Sequence, residues 1–152
     1  MIRKVPMQDT PSRFDSMLQK LRERGYRITP QRLAILKILA ESKGHPGAED
    51  VYGLVKTDFP TTTIATVYKT LAVLKSLGEV LELEFSSDYN RYDGKKPCPH
   101  PHLICIKCKR IVDPDLENLT EMTAKLASQT GYKLISHRLD FYGICTECQQ
   151  KG

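Results

Sequence analysis

Four cysteines in two Cys-x-x-Cys pairs, Cys105-Ile-Lys-Cys108 and Cys145-Thr-Glu-Cys148, are the residues here best suited to chemistry. Each pair is compact enough to place both sulfurs on one metal ion, and four thiolates complete the tetrahedral shell of zinc. A shell with no open position cannot activate water. The expected chemistry is therefore structural: Zn2+ ties an early strand to the far end of the chain and closes a loop of about 36 residues. A redox Cys-x-x-Cys would open a helix after a buried strand and would need no twin. The fifth cysteine, Cys98, makes the count odd, which argues against a disulfide framework; it is read as a free thiol without a role.

A second set of residues is built from nitrogen and oxygen. His45 lies in a Gly-His-Pro-Gly break, and His100 and His102 flank Pro101 just before the first cysteine pair. None of these positions belongs to an apolar stripe. An extended backbone points side chains two apart in the same direction, so His100 and His102 can act together, with Asp93 and Asp113 on neighbouring strand ends. Imidazoles and carboxylates without sulfur suit Fe2+ or Mn2+, and less selectively zinc. The plainer alternative makes His45 a helix cap and the His-Pro-His stretch a polar linker.

The elements that must position these residues divide the chain in two. Phe14, Leu18 and Leu21 recur at helical spacing up to Gly25. A second helix opens on Thr29 as cap and Pro30 as first residue, with Leu33, Leu36, Ile38 and Leu39 as its buried stripe. Ala48, Val51, Tyr52 and Val55 mark a third, ending before Phe59-Pro60. A fourth, capped by Thr62 or Thr63, buries Ile64, Val67, Leu71 and Leu74 and turns Ala65, Thr66, Lys69 and Val73 to solvent. After Gly78, the alternation of residues 79–85 predicts a strand, followed by a turn over 86–90 and a second strand at Arg91–Asp93. Helices followed by a two-stranded hairpin form a winged helix-turn-helix; the alternative is a helical domain whose fourth helix packs inward.

Residues 93–101, rich in Gly, Pro and Lys, read as a hinge between a domain at 1–92 and one at 102–152. Beyond the hinge, Leu103–Cys105 and Arg110–Asp113 predict paired strands. Leu116, Leu119, Thr123 and Leu126 predict a helix, and Tyr132–Ile144 a last strand. The whole is an α+β chain: a winged helix-turn-helix followed by a small α/β unit with a four-cysteine zinc site.

Charge follows the same division. Residues 1–78 carry 13 basic against 7 acidic side chains, whereas residues 79–152 carry 10 against 11. A polyanion partner for the first half is the natural reading. Residues 1–8 lack a signal-peptide apolar run, and no stretch approaches the about 20 apolar residues that span a bilayer, so a cytoplasmic location without membrane association is expected.

Several runs together resemble the ferric uptake regulator family of metal-dependent repressors: RITPQR (27–32), His45-Pro46, ATVYKTL (65–71), HPHLICIKC (100–108) and YGICTEC (142–148). The resemblance spans about Leu18 to Cys148. It implies a homodimer, joined through the C-terminal domain, that binds palindromic operator DNA and is not an enzyme. It also implies that Thr66, Tyr68 and Lys69 contact DNA, and that His45, Asp93, His100, His102 and Asp113 hold the regulatory iron or manganese. Aspartate at both carboxylate positions resembles the peroxide-sensing members, in which a histidine ligand, here His45 or His100, is oxidised. Iron, manganese or zinc uptake regulation, answering to metal level alone, is the alternative. Pro101 stands where iron-uptake members often carry a further acidic ligand, which leaves His137 as a structural residue. Lys69 stands where many relatives carry Arg, so a bidentate guanine contact becomes a point charge.

Overall fold

The computed structural model describes residues 12–84, 90–116 and 119–152. The chain divides into two compact units, Met1–Pro97 and Cys98–Gly152. Phe85 and most of the turn expected at 86–90 lie outside the described residues.

The N-terminal unit runs α1 (Arg13–Glu23), α2 (Pro30–Glu41), α3 (Ala48–Asp58), α4 (Ile64–Ser76), β1 (Leu81–Leu83) and β2 (Arg91–Asp93). Hydroxyl caps start three of the helices: Ser12, Thr29 and Thr63 accept from the backbone N–H groups of Asp15, Arg32 and Thr66. Each such cap is worth about 1 kcal/mol. The fourth start differs. At Gly47 the N–H donates to the Asp50 carboxylate at 2.9 Å, which fixes where α3 begins, three residues after His45.

Met17 and Leu21 of α1, Ile35, Leu36 and Leu39 of α2, Val51 and Val55 of α3, and Val67, Leu71 and Leu74 of α4 form one apolar core. Full burial of a side chain of this size stabilises by about 1.5–3 kcal/mol. The α2 stripe is rotated from the sequence expectation. Ile35 is fully buried, while Leu33 and Ile38 are half-buried, because α2 packs against α1, α3 and α4 together and needs a wide apolar face. Val73, expected in solvent, packs against the core edge.

β1 and β2 pair antiparallel with Leu81 opposite Asp93, forming the hairpin that follows the helices. The first strand is shorter than the alternation implied. Val80 and Leu83 are both buried, which breaks the period of two. A third backbone segment joins the hairpin: Gly47 bridges Arg91, and the Tyr92 N–H donates to the Pro46 carbonyl at 2.9 Å. This antiparallel register sets His45 opposite Asp93. Just beyond β2, the Arg13 guanidinium donates to the Gly94 carbonyl at 2.9 Å, and a Cβ on Gly94 would fall 2.9 Å from Leu39 Cβ and Met17 Cε. Only glycine fits there, so the end of β2 is pinned against α1 and α2.

The C-terminal unit runs β3 (His102–Cys105), β4 (Ile111–Val112), α5 (Leu119–Thr130), β5 (Asp140–Gly143) and α6 (Thr146–Gln150). Its sheet has the order β4-β3-β5, with β3 antiparallel to β4 and parallel to β5. Two expectations are corrected. Leu116 lies before α5 rather than in it, and the strand expected over Tyr132–Ile144 is confined to Asp140–Gly143. β5 is an edge strand, and residues 132–139 have no ladder partner among the described residues, so their apolar character alone does not make them strand. Among the described residues, no helix is long and apolar enough to cross a membrane.

Candidate metal centres

In the C-terminal unit the turn between β3 and β4 carries the first cysteine pair. Lys109 takes a positive φ of 63°, letting the chain reverse after Cys108, and its N–H donates to the Cys105 carbonyl at 3.0 Å. The parallel ladder places Gly143 beside Cys105, which brings Cys145 to the same spot. The Cys145 N–H lies 3.4 Å from the Cys105 sulfur. Cys145 caps α6 and Cys148 sits in its first turn. The Arg110 guanidinium grips the Glu147 carboxylate through two bonds, of 3.1 and 2.9 Å, joining the two Cys-x-x-Cys loops at the surface.

The four sulfurs lie within 4.8 Å of one another, and Cys108 Sγ is 3.7 Å from Cys145 Sγ. Zinc–sulfur bonds of about 2.3 Å in a tetrahedron give sulfur–sulfur edges of about 3.8 Å, so this donor set fits zinc. Its acid–base balance agrees. Backbone N–H groups of Cys145 and Cys108 pull the Cys105 thiol down to about 6, whereas hydrogen bonding to Cys145 and burial push Cys148 up to about 12. Four thiolates cannot share this space without a cation to compensate them.

The nitrogen and oxygen residues form one group in each unit. In the N-terminal unit His45, at a φ of 52°, points Nε2 at Asp93 Oδ2, 3.1 Å away, with both side chains buried. The backbone strain at a non-glycine residue in this region is held by the Arg91 guanidinium on the His45 carbonyl and by the bridge at Gly47.

In the C-terminal unit the His100 and His102 rings lie 4.4 Å apart, as the two-residue spacing implied. Asp113, just after β4, faces both, at 3.3 Å from His100 Nε2 and 3.8 Å from His102 Nε2. His100 Nδ1 sits 2.7 Å from the Cys98 carbonyl, which can only accept. The proton is therefore on Nδ1, and in the neutral ring Nε2 carries the lone pair. Sequence reasoning missed Asp140, which stands opposite His102 in the β3–β5 ladder, its Oδ1 3.5 Å from His102 Nδ1. Nothing local marks it, because the contact arises from pairing residues 38 apart.

On α4, Tyr68 and Lys69 are exposed and Thr66 is half-buried. Thr66 and Lys69 line an open cleft of about 370 Å³ with Arg27 and Arg32, where the N-termini of α2 and α4 approach each other. Among the described residues no acidic side chain lines it. Arg27 and Arg32 are cations that the sequence reading did not assign to this face.

A two-unit chain with a helix-hairpin unit, a four-cysteine cluster and paired histidine–aspartate groups defines a class, and comparison with known proteins gives its name. The sequence profile of the ferric uptake regulator family matches residues 23–142, and the chain belongs to that family. It is 37% identical to the peroxide-responsive repressor PerR of Staphylococcus aureus over 147 residues, 97% of this chain and 99% of that protein. Among solved structures, the ferric uptake regulator Fur of Helicobacter pylori matches with a TM-score of 0.78 and 26% identity, over 90% of this chain and 93% of that one. The peroxide-sensing PerR of Streptococcus pyogenes matches with a TM-score of 0.54 and 34% identity, over 94% and 97%.

Proposed function

We infer that the protein is a metal-dependent transcriptional repressor that binds palindromic double-stranded operator DNA as a homodimer and senses hydrogen peroxide. Zinc on Cys105, Cys108, Cys145 and Cys148 holds the C-terminal unit. His45, Asp93, His100, His102 and Asp113 would hold one regulatory Fe2+ or Mn2+. Holding it would fix the hinge, so that two α4 helices of a dimer could meet successive major grooves about 34 Å apart.

The observation that carries this reading is the donor chemistry: histidines each set against an aspartate, with no sulfur among them. Aspartate at both carboxylate positions and the identity to a peroxide-responsive repressor favour peroxide over metal level as the signal. On the DNA side, Lys69 and Thr66 present a positive, hydrogen-bonding face beside Arg27 and Arg32. Exposed apolar side chains of the C-terminal unit, among them Met122, Leu126 and Phe141, supply a dimer surface.

Ferrous iron held by these residues would lend an electron to cleave peroxide beside the histidines and regain it from the oxidised ring, so that iron undergoes no net change. Overall, one hydrogen peroxide inserts one oxygen into a ring C–H of His45 or His100, and its second oxygen leaves as water. The altered ring loses its place as a ligand, the hinge is released, and DNA is lost. There is no turnover, so the protein is a sensor and not an enzyme.

Anisotropy of a labelled duplex, selected by the protein from a random pool, tests this. Peroxide should release the DNA from the iron form and not from the manganese form, and His45→Ala should weaken metal-dependent binding while zinc content is unchanged. Release by metal removal alone, with iron and manganese forms equally indifferent to peroxide, would assign uptake regulation instead.

A further inference from the structure

We propose that Asp140 is the positioning residue that fixes the tautomer and ring orientation of His102, so that Nε2 is offered to the regulatory metal. This rests on the reading of His102 as a ligand. His102 is the first residue of β3 and Asp140 the first of β5, paired directly across the parallel ladder. The ladder is anchored at this point by the His102 N–H, which donates to the Leu139 carbonyl at 3.0 Å. Backbone hydrogen bonds thus hold the two side chains in fixed register.

The two sides of the His102 ring face different carboxylates. Nε2 faces Asp113, which also faces His100 and so marks the side where ligands converge. Nδ1 faces Asp140 Oδ1 at 3.5 Å, a contact between charge-bearing groups that a small turn of the ring would make a hydrogen bond. That oxygen is shut off from solvent and takes no hydrogen bond among the described residues, and the ring nitrogen is the polar atom set against it. Asp140's other oxygen is held by Arg138, whose Nε donates at 2.8 Å. Arg138 thereby holds the carboxylate turned towards the ring.

His100 supplies the internal comparison. Its Nδ1 is held by a neutral carbonyl, that of Cys98, while His102 faces a charged carboxylate. Both grips leave Nε2 for the metal, but the carboxylate makes its histidine the more basic donor. A second-shell group of this kind is commonly worth 10–100-fold in metal affinity.

The test uses the zinc-replete full chain with Asp140→Ala and Asp140→Asn. Nitrogen-15 NMR of the histidine rings should show His102 of the wild type protonated on Nδ1, and Asp140→Ala should shift it towards protonation on Nε2. Mn2+ titration followed by electron paramagnetic resonance should show about 10–100-fold weaker binding for Asp140→Ala. Asp140→Asn, which keeps an acceptor oxygen without the charge, should retain the tautomer and recover part of the affinity. An unchanged tautomer and unchanged Mn2+ affinity in Asp140→Ala would overturn the proposal. If wild type and His102→Ala bind Mn2+ alike, the reading of His102 as a ligand fails instead, and the tautomer measurement still decides what Asp140 does to the ring.

Discussion

Fifteen of the eighteen buried hydrophobic residues among those described belong to the N-terminal unit, whereas twelve of the fourteen exposed large hydrophobics belong to the C-terminal unit. The first unit closes four helices over an apolar interior and fits the usual economy of folding by burial. The second leaves the apolar side of α5 and the outer strands open, and its ordered centre is a set of sulfurs and imidazoles. On the proposed function, its cohesion comes from what those groups bind and from a second copy over the exposed side chains. The N-terminal unit is self-sufficient in burial, while the C-terminal unit, to which the proposed function gives assembly and sensing, depends on what its donor groups hold.

The strongest way to break this comparison is to remove one sulfur. Cys145→Ser should abolish zinc binding and unfold the C-terminal unit while the helices of the N-terminal unit persist, as seen by zinc analysis and amide hydrogen exchange. Structural zinc contributes about 10–16 kcal/mol in small zinc peptides, more than a unit of this size can replace. A folded, dimeric, zinc-free variant would refute the division.

Next in size is the open apolar face. Leu126→Glu places a charge on exposed α5, so it should leave each protomer folded but weaken the dimer by about 100-fold or more, through the cost of burying an unpaired charge. Sedimentation velocity across a dilution series reads the shift. An unchanged dimer would place the interface elsewhere.

Within the N-terminal unit the expected costs are those of an ordinary core. Leu36→Ala should cost about 2–5 kcal/mol in urea unfolding, and exposed Leu54→Ala about 0.5 kcal/mol or less. Equal effects at the two positions would contradict the assigned core.

The smallest effect sharpens the account of the wing. Burial acts against ionisation of Glu82, yet bonds from Lys75, Asn90 and Tyr92 outweigh it and hold its carboxyl below the ordinary range. A lowered folded-state value means this contribution is complete above the ordinary glutamate range and fades as pH falls through the folded value. Thermal melts of wild type and Glu82→Gln should therefore differ at neutral pH and converge in acid. A constant difference across pH would assign the effect to packing.

How far the sequence carried depends on the range of each contact. The Cys-x-x-Cys pairs and the His-x-His spacing are local, and each stands where its spacing implied. The helix caps at Thr29 and Thr63 are equally local and equally legible. The pairing of His45 with Asp93 needed the bridge between Gly47 and Arg91, a register that no periodicity contains. Asp140 was invisible for the same reason, and residues 132–139 were over-read because apolar character alone does not supply a ladder partner.

The most direct test of the sensing claim is mass spectrometry of histidine peptides after a pulse of peroxide. The iron-loaded protein should gain one oxygen atom on the peptide containing His45 or that containing His100, in step with release of DNA, and the manganese-loaded protein should gain none. Release of DNA by peroxide with every histidine unmodified, or oxidation confined to the cysteines, would contradict it.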